Sequence, residues 1–201
     1  MKNQARERQE STLRREIRKA IQKQINSTRE LKQYANTSLA NNANPGFVTL
    51  LTNITGGTNV SNRDGWQING VELRIRASLQ LNGAASVDLV RVIIVSDSMN
   101  LNAAPTVLDI IDSASVYSAR NYGADIAQRF RFYHDKLHAL SSQGNSKETV
   151  LNLKISLNEL PISYWATTGT GKNNLYIMIL GDSAANPALV SFGWALRYHD
   201  S

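Results

Sequence analysis

The stretch V-E-L-R-I-R-A-S-L-Q-L, residues 71–81, decides the fold class of this chain. Its odd-numbered positions are all apolar, and its even-numbered positions are all charged or polar. Alternation over eleven residues is typical of a β-strand that buries one face and exposes the other. Asn82-Gly83 follows at once, and this dipeptide favours the tight turn of a β-hairpin.

Other segments have the same strand-like character. They alternate apolar and polar residues or form short runs of β-branched side chains, and they lie at 46–54, 87–95, 115–118, 127–140, 149–157, 175–180 and 189–198. Within 127–140 the apolar residues change from even to odd positions, which predicts a β-bulge near 133–135. Residues 106–112 are expected to form a single helical turn. About eight strands with so little helix predict an all-β protein, a double-sheet sandwich or jelly roll over residues 47–201.

Charge is distributed unevenly along the chain. Residues 1–34 contain ten Lys or Arg and four Glu, a sum of +6, which equals the formal net charge of the whole protein. The other 167 residues contain twelve basic and twelve acidic side chains. We therefore expect a basic arm over residues 1–35 and a neutral body, with an Asn-rich linker over 36–46 between them.

The arm has the apolar periodicity of a helix. Its apolar residues recur every three or four positions and cover a stripe of about 140° on a helical projection. The spacing predicts a helix over 12–25, and a second short helical segment is expected over 28–35. The stripe contains no Trp or Phe, so it suits packing between helices better than insertion into a membrane surface. The residues expected to pack between arms are Leu13, Ile17, Ile21 and Ile25.

Seven basic residues of the arm are candidates for binding nucleic-acid phosphates: Arg6, Arg8, Arg14, Arg15, Arg18, Lys19 and Lys23. A charged helix face that only meets solvent would give the same pattern. The single sign of the charge, beside a neutral body, favours phosphate binding, which would be insensitive to base sequence and strongly dependent on salt. The cluster over 14–19 also fits a nuclear localisation signal.

No motif indicates an enzyme. Residues 169–172 (G-T-G-K) lack the earlier Gly and the following Ser or Thr that a phosphate-binding loop needs. There is no G-x-S-x-G elbow, and His134, His138 and His199 are too sparse a ligand set to indicate zinc. The chain has no Cys, which excludes disulfides and thiolate chemistry.

Neither a membrane span nor a secretion signal is expected. The apolar runs at 92–95 and 175–180 are far too short to cross a bilayer. Met1 is followed by charged residues rather than by the apolar segment of a signal peptide.

Four short stretches give the chain a specific family resemblance. D-S-M-N (97–100), P-T-V-L-D (105–109), Q-R-F (128–130) and G-D-S (181–183) resemble the coat proteins of satellite tobacco necrosis virus and related small icosahedral viruses. The resemblance runs over nearly the whole chain, and differences are spread throughout, as in a distant member. Related coats also occur among small circular single-stranded DNA viruses, so the sequence leaves open whether the genome is RNA or DNA.

The resemblance implies an eight-strand jelly-roll sandwich over residues 47–201, in a viral capsid protein that resides in the virion. Sixty copies would form a closed, symmetric T=1 icosahedral shell, and the arm would bind a single-stranded viral genome. It also implies calcium between subunits, held by main-chain oxygens of a loop and a carboxylate near the C-terminus, at positions that match Asp64, Gln67 and Asp200, and no organic cofactor. An alternative is a non-viral jelly-roll binding module, such as a carbohydrate-binding domain or a cytokine-like trimer, with a basic tail.

Overall fold

The structure is a computed structural model of the chain, and it describes residues 14–21, 29–59, 61–99, 103–121, 128–143, 146–165 and 171–200. The chain forms two compact units, Met1–Leu31 and Lys32–Ser201. In the first unit the described residues 14–21 are helical, and we call this helix α1. It lies within the helix that the periodicity predicts over 12–25.

The second unit is built from β-strands. In chain order the strands are β1 (Leu31–Asn42), β2 (Phe47–Leu50), β3 (Gln67–Gln80), β4 (Val87–Asp97), β5 (Phe130–Ser141), β6 (Glu148–Ser163), β7 (Asn174–Gly181) and β8 (Leu189–Asp200). A short helix, α2 (Val107–Ile110), lies between β4 and β5.

The strands form two four-stranded sheets, in the orders β1-β8-β3-β6 and β2-β7-β4-β5. Most consecutive strands lie in different sheets, so the chain crosses repeatedly from one sheet to the other. The pairings of β3 with β6 and β8, and of β4 with β5 and β7, are antiparallel. Two antiparallel sheets joined in this order form a jelly roll, which confirms the predicted fold class.

The stretch that decides the fold class lies inside the first sheet. β3 runs between β6 and β8, and Ile75 lies opposite Leu153 on one side and Trp194 on the other. The predicted apolar face is buried in the core, through Leu73, Ile75, Ala77 and Leu79. Full burial of each large apolar side chain contributes about 1.5–3 kcal/mol. A shift of one residue would expose the whole set, so this face fixes the register.

β4 is buried on both faces, as its continuous apolar run predicts. Val90, Val92 and Ile94 belong to the core between the sheets. Ile93 and Val95 belong to a second apolar cluster, which also contains Ile110 and Ile111 at α2. The segment around α2 therefore covers the outer face of the second sheet.

The predicted bulge in β5 is confirmed. Ile94 pairs with His134 and Val95 pairs with Phe132, so Tyr133 is the extra residue of the bulged strand. This single insertion explains why the apolar positions change parity within the segment.

Three predictions about secondary structure are wrong. Residues 31–42 are an edge strand beside β8, not a helical segment over 28–35 followed by a linker over 36–46. An edge strand has only one strand neighbour and need not be apolar, so its Asn-rich composition hid it. Its buried position near the start is a lysine, Lys32, which is 3% exposed. Residues 115–118 are turns and bends rather than a strand.

Candidate genome-binding arm and cation site

The helix α1 presents basic side chains to solvent. Arg14, Arg15, Arg18 and Lys19 are all exposed, as the sequence predicts for phosphate-binding residues. Ile17 and Ile21, from the predicted apolar stripe, are 49% and 52% exposed. The remaining predicted arm residues lie outside the described residues, and they are Arg6, Arg8, Leu13, Lys23 and Ile25.

The boundary between the two units preserves most of the charge separation that the sequence shows. Residues 1–31 contain nine basic and four acidic side chains, a sum of +5. Residues 32–201 contain thirteen basic and twelve acidic side chains, a sum of +1. The charge is therefore concentrated in the unit that contains α1, where it can attract polyanions at long range.

Two of the four stretches that carry the family resemblance, 97–100 and 128–130, meet in one buried ion pair. Asp97 ends β4, and Arg129 directly precedes β5. The Arg129 guanidinium donates to both carboxylate oxygens of Asp97, from Nε at 3.0 Å to Oδ1 and from Nη2 at 2.7 Å to Oδ2. Asp97 is 1% exposed and Arg129 5% exposed. The hydrogen bonds that Arg129 donates to Asp97 raise the pKa of Arg129 despite its burial.

The stretch P-T-V-L-D (105–109) builds α2 and lies beside this ion pair. The Thr106 hydroxyl accepts a hydrogen bond from the Asp109 backbone N–H, and the Asp109 carboxylate accepts one from the Thr106 backbone N–H. This capping box satisfies donors that the helix start leaves without a partner. The other carboxylate oxygen of Asp109 lies 3.8 Å from Arg129 Nη1. These motif residues therefore have a structural role in closing the outer face of the second sheet.

The fourth stretch packs against the segment that follows β1. The Gly181 backbone N–H donates to the Ala43 carbonyl at 2.7 Å, and a Cβ at residue 181 would lie 2.8 Å from the Ala43 Cβ. Glycine is required because the two backbones approach so closely. The next two residues bond to β4, through Asp182 N–H to Leu89 O and Ser183 N–H to Asp88 Oδ1.

The structure brings together two of the three residues predicted to bind calcium, and it adds a lysine between them. Lys32 Nζ lies 2.8 Å from Asp64 Oδ2 and 2.6 Å from Asp200 Oδ2. The Asp64 backbone N–H also donates to Asp200 Oδ1, at 3.4 Å. Gln67, the first residue of β3, is exposed and lies next to Ile68, which pairs with Asp200. Calcium binding at these residues stays a prediction.

Arg63 holds the loop that carries Asp64. Its Nε donates to the Ile54 carbonyl at 3.1 Å, and its guanidinium stacks 4.0 Å from the centre of the Tyr164 ring. The side chain is 3% exposed, and burial lowers the pKa of Arg63. These contacts of Arg63 hold the backbone next to Asp64 and so help to place the Asp64 carboxylate beside Lys32.

The electrostatics of the Lys32 cluster favour its charged form. Burial by itself lowers the pKa of Lys32, but its hydrogen bonds to Asp200 and Asp64, and the attraction of their negative charges, outweigh burial and raise the pKa above its ordinary value. The hydrogen bond from Lys32 holds the pKa of Asp64 below its ordinary value. The sequence gives no local signal for this cluster, because Lys32 and Asp64 are 32 residues apart and Asp200 lies at the far end of the chain.

The histidines do not assemble a metal site within the described residues. His134 and His138 lie on one side of β5 with stacked rings, 6.4 Å between centroids. Burial lowers the pKa of both, and for His134 the nearby His138 adds to the effect. No group of three or more His, Asp or Glu side chains that could hold a metal occurs in the described part of the chain.

The chain has a basic helical arm followed in sequence by a jelly-roll domain with almost no net charge. This is the organisation of the coat protein of a small icosahedral virus. The chain belongs to the satellite tobacco necrosis virus coat protein family, whose model matches residues 1–201. It is 29% identical over 174 residues to the capsid protein of Satellite tobacco necrosis virus 1, which covers 82% of this chain and 85% of the relative.

Solved structures of plant virus particles are also similar to the chain. The structure of Desmodium yellow mottle tymovirus has a TM-score of 0.45 at 9% identity and covers 86% of this chain and 88% of its own. A cryo-EM structure of Broad Bean Stain Virus has a TM-score of 0.37 at 10% identity, covering 82% and 84%.

Family membership establishes the coarse function. The chain is a viral capsid protein with a structural role, it associates with other copies of itself, and its place is the virion. Within the described residues, each helix is too short or too polar to pass through a bilayer.

Proposed function

We propose that sixty copies of this protein close a T=1 icosahedral shell and that the basic arm packages a single-stranded genome inside it. The observation that carries the proposal is the exposed basic surface of α1, attached to a shell domain with almost no net charge. The division of charge fits two separate tasks. The jelly roll supplies the protein contacts of the shell, and the arm supplies the contacts with phosphate.

Counterion release provides the binding energy of the arm. Each Lys or Arg that neutralises a phosphate releases condensed counterions, and for single strands the logarithm of the binding constant falls by about 0.7 per phosphate for each tenfold rise in salt. This mechanism reads no base sequence, so it suits a coat protein that must enclose a whole genome.

Assembly multiplies these weak contacts. Arms that are fixed to one shell bind the same nucleic acid at high effective concentration, so the particle binds far more tightly than one arm does. Ile17 and Ile21 are about half exposed in the single chain. Packing these residues against the same residues of other copies would bury them, and it would link genome binding to assembly.

Purified particles test the proposal in one experiment. Sixty chains of 22.2 kDa give a protein mass of about 1.3 MDa, which size-exclusion chromatography with light scattering can measure. The absorbance ratio at 260 and 280 nm reports co-purified nucleic acid, and digestion with RNase or DNase after disassembly identifies its type. A small oligomer without nucleic acid would contradict the proposal and support the jelly-roll binding module instead.

A further inference from the structure

One lysine lies between the side chains of Asp64 and Asp200, two of the three residues expected to bind calcium. The Lys32 side chain is 2% exposed, that of Asp200 is 16% exposed, and that of Asp64 is 53% exposed. Lys32 Nζ also donates to the Asn62 carbonyl at 3.2 Å. An ammonium group has three N–H donors, and here three oxygen atoms surround it. The positive charge that these carboxylates need is therefore supplied by the chain itself.

Calcium does not fit beside this ammonium group. Calcium takes six to eight oxygen ligands at about 2.3–2.6 Å. Because Lys32 Nζ lies within 2.8 Å of one oxygen of each carboxylate, an ion bound to those oxygens would lie within about 5 Å of the ammonium nitrogen. Two positive charges at that separation repel each other, so calcium would bind only after Lys32 had left.

We propose that Lys32 is a built-in cation that takes the place of calcium at this position, so that the shell domain is held together here without a metal ion. The cluster joins three parts of the domain, which are the beginning of β1, the loop before β3 and the end of β8. It also fixes the residue at which the shell domain begins, directly after the basic arm. The inference rests on the shell domain alone and does not depend on how the arm binds the genome.

Thermal unfolding of the full-length protein tests this inference. The melting temperature of the wild type should change by less than about 1 °C between 5 mM EDTA and 5 mM calcium chloride, because calcium does not bind the folded state at this position. Lys32→Met removes the charge and keeps much of the length of the side chain. Its melting temperature in EDTA should fall by about 10 °C, because two carboxylates then face each other with no cation between them.

The melting temperature of Lys32→Met should respond to calcium, unlike that of the wild type. Once the ammonium group is absent, the two carboxylates are free to bind a divalent ion, so calcium should raise the melting temperature of Lys32→Met by about 3 °C or more. The double variant Lys32→Met/Asp200→Asn removes the charge conflict. It should melt above Lys32→Met in EDTA and show no response to calcium.

Lys154→Met is the matched control. Lys154 is also a lysine paired with a carboxylate, at 3.1 Å from Glu72, but its side chain is 69% exposed. An exposed ion pair contributes about 0–1 kcal/mol, so this variant should melt close to the wild type and ignore calcium.

Two results would overturn the inference. The first is a wild type that loses stability in EDTA or gains it in calcium, and the second is a Lys32→Met variant that melts like the wild type. If Lys32→Met does not fold, the comparison of the wild type in EDTA and calcium still decides the question. Particle mass and nucleic-acid content are read separately, so a failed shell or arm proposal remains distinguishable from a failed cation proposal.

Discussion

The arm and the shell domain use charge in opposite ways. In the shell, several buried charges are neutralised by close partners, as Arg129 is by Asp97 and Lys32 is by Asp64 and Asp200. In α1 the basic side chains are exposed to solvent. Removing one partner of a buried ion pair leaves an uncompensated charge in the protein interior, and this strongly destabilises the fold. Exposed charges of one sign instead attract a partner that lies outside the chain. The comparison teaches that placement, rather than number, separates the structural charges of the shell from the charges that we propose bind the genome.

The largest expected effect comes from breaking a charge pair in the shell. Asp97→Asn leaves the Arg129 guanidinium buried without its counter-charge, and Asp109, 3.8 Å away and 37% exposed, compensates only in part. The free energy of unfolding should fall by about 3–5 kcal/mol. Urea denaturation of the unassembled protein measures it.

Glu148→Gln is the control for this substitution, because Glu148 is an exposed carboxylate on β6 that bonds to Ser78. It should change the free energy of unfolding by less than about 0.5 kcal/mol. Equal losses in the two variants would mean that burial of the charge is not what makes the Asp97–Arg129 pair important.

The second-largest expected effect concerns the exposed basic side chains of the arm. Replacing Arg15, Arg18 and Lys19 by Gln keeps good helix formers in α1 and removes three exposed charges. The slope of log binding constant against log salt for a single-stranded oligonucleotide should fall by about 2, at roughly 0.7 per lost charge. The melting temperature of the shell domain should stay the same. Fluorescence anisotropy over a salt series measures the slope.

The control for this variant removes three exposed lysines from the shell, Lys136, Lys147 and Lys172. It changes the net charge equally and should leave the slope nearly unchanged. If both triple variants lowered the slope by the same amount, net charge rather than the arm would account for binding.

The smallest effect concerns pH. All three histidines lie in the shell, and burial lowers the pKa of His134 and His138, with Lys136 lowering both further and Asp135 opposing the shift at His134. As the pH falls, the unfolded chain therefore binds protons at these two histidines before the folded chain does. Their contribution to stability is fully present above about pH 6.5 and is lost as the pH falls below that value.

Replacing both His134 and His138 by Gln should reduce this acid loss. Between pH 8 and pH 5 the melting temperature of the variant should fall by about 2–3 °C less than that of the wild type. Binding by the arm, which contains no histidine, should not change over the same range. An unchanged acid loss in the variant would assign the pH dependence to other groups of the shell.

Regular patterns in the sequence predicted the parts of the fold that packing controls. The alternation over 71–81, the doubly buried run of β4 and the bulge at Tyr133 all follow from which side chains must face the core. The eight strands that the sequence predicts include 115–118, which forms turns and bends, and they omit β1. Burial of apolar groups does not mark β1, which lies at a sheet edge.

The candidate sites divide in the same way. The basic face of α1 follows from local periodicity, so the exposure of Arg15 and Lys19 could be predicted. Asp64 and Asp200 came from the family resemblance alone. The lysine between them could not be predicted, since a contact between residues so far apart depends on the closed sandwich. The sequence pattern assigned Lys32 to the arm, whereas the structure makes it the first residue of the shell unit.

The boundary at Lys32 also sets the design of the most direct test. A deletion of residues 1–31 removes the arm and leaves the Lys32 cluster in place, whereas a longer deletion would damage the shell. The shell domain should then melt within about 2 °C of the full-length protein, because none of its buried ion pairs is lost.

The measurement has two readouts. Absorbance at 260 and 280 nm gives the amount of nucleic acid in the assemblies formed by this deletion variant, and the melting temperature shows whether the variant is folded. We expect a folded protein whose nucleic-acid content falls to background. A folded deletion variant that packages as much nucleic acid per subunit as the full-length chain would contradict the assignment of genome binding to the arm.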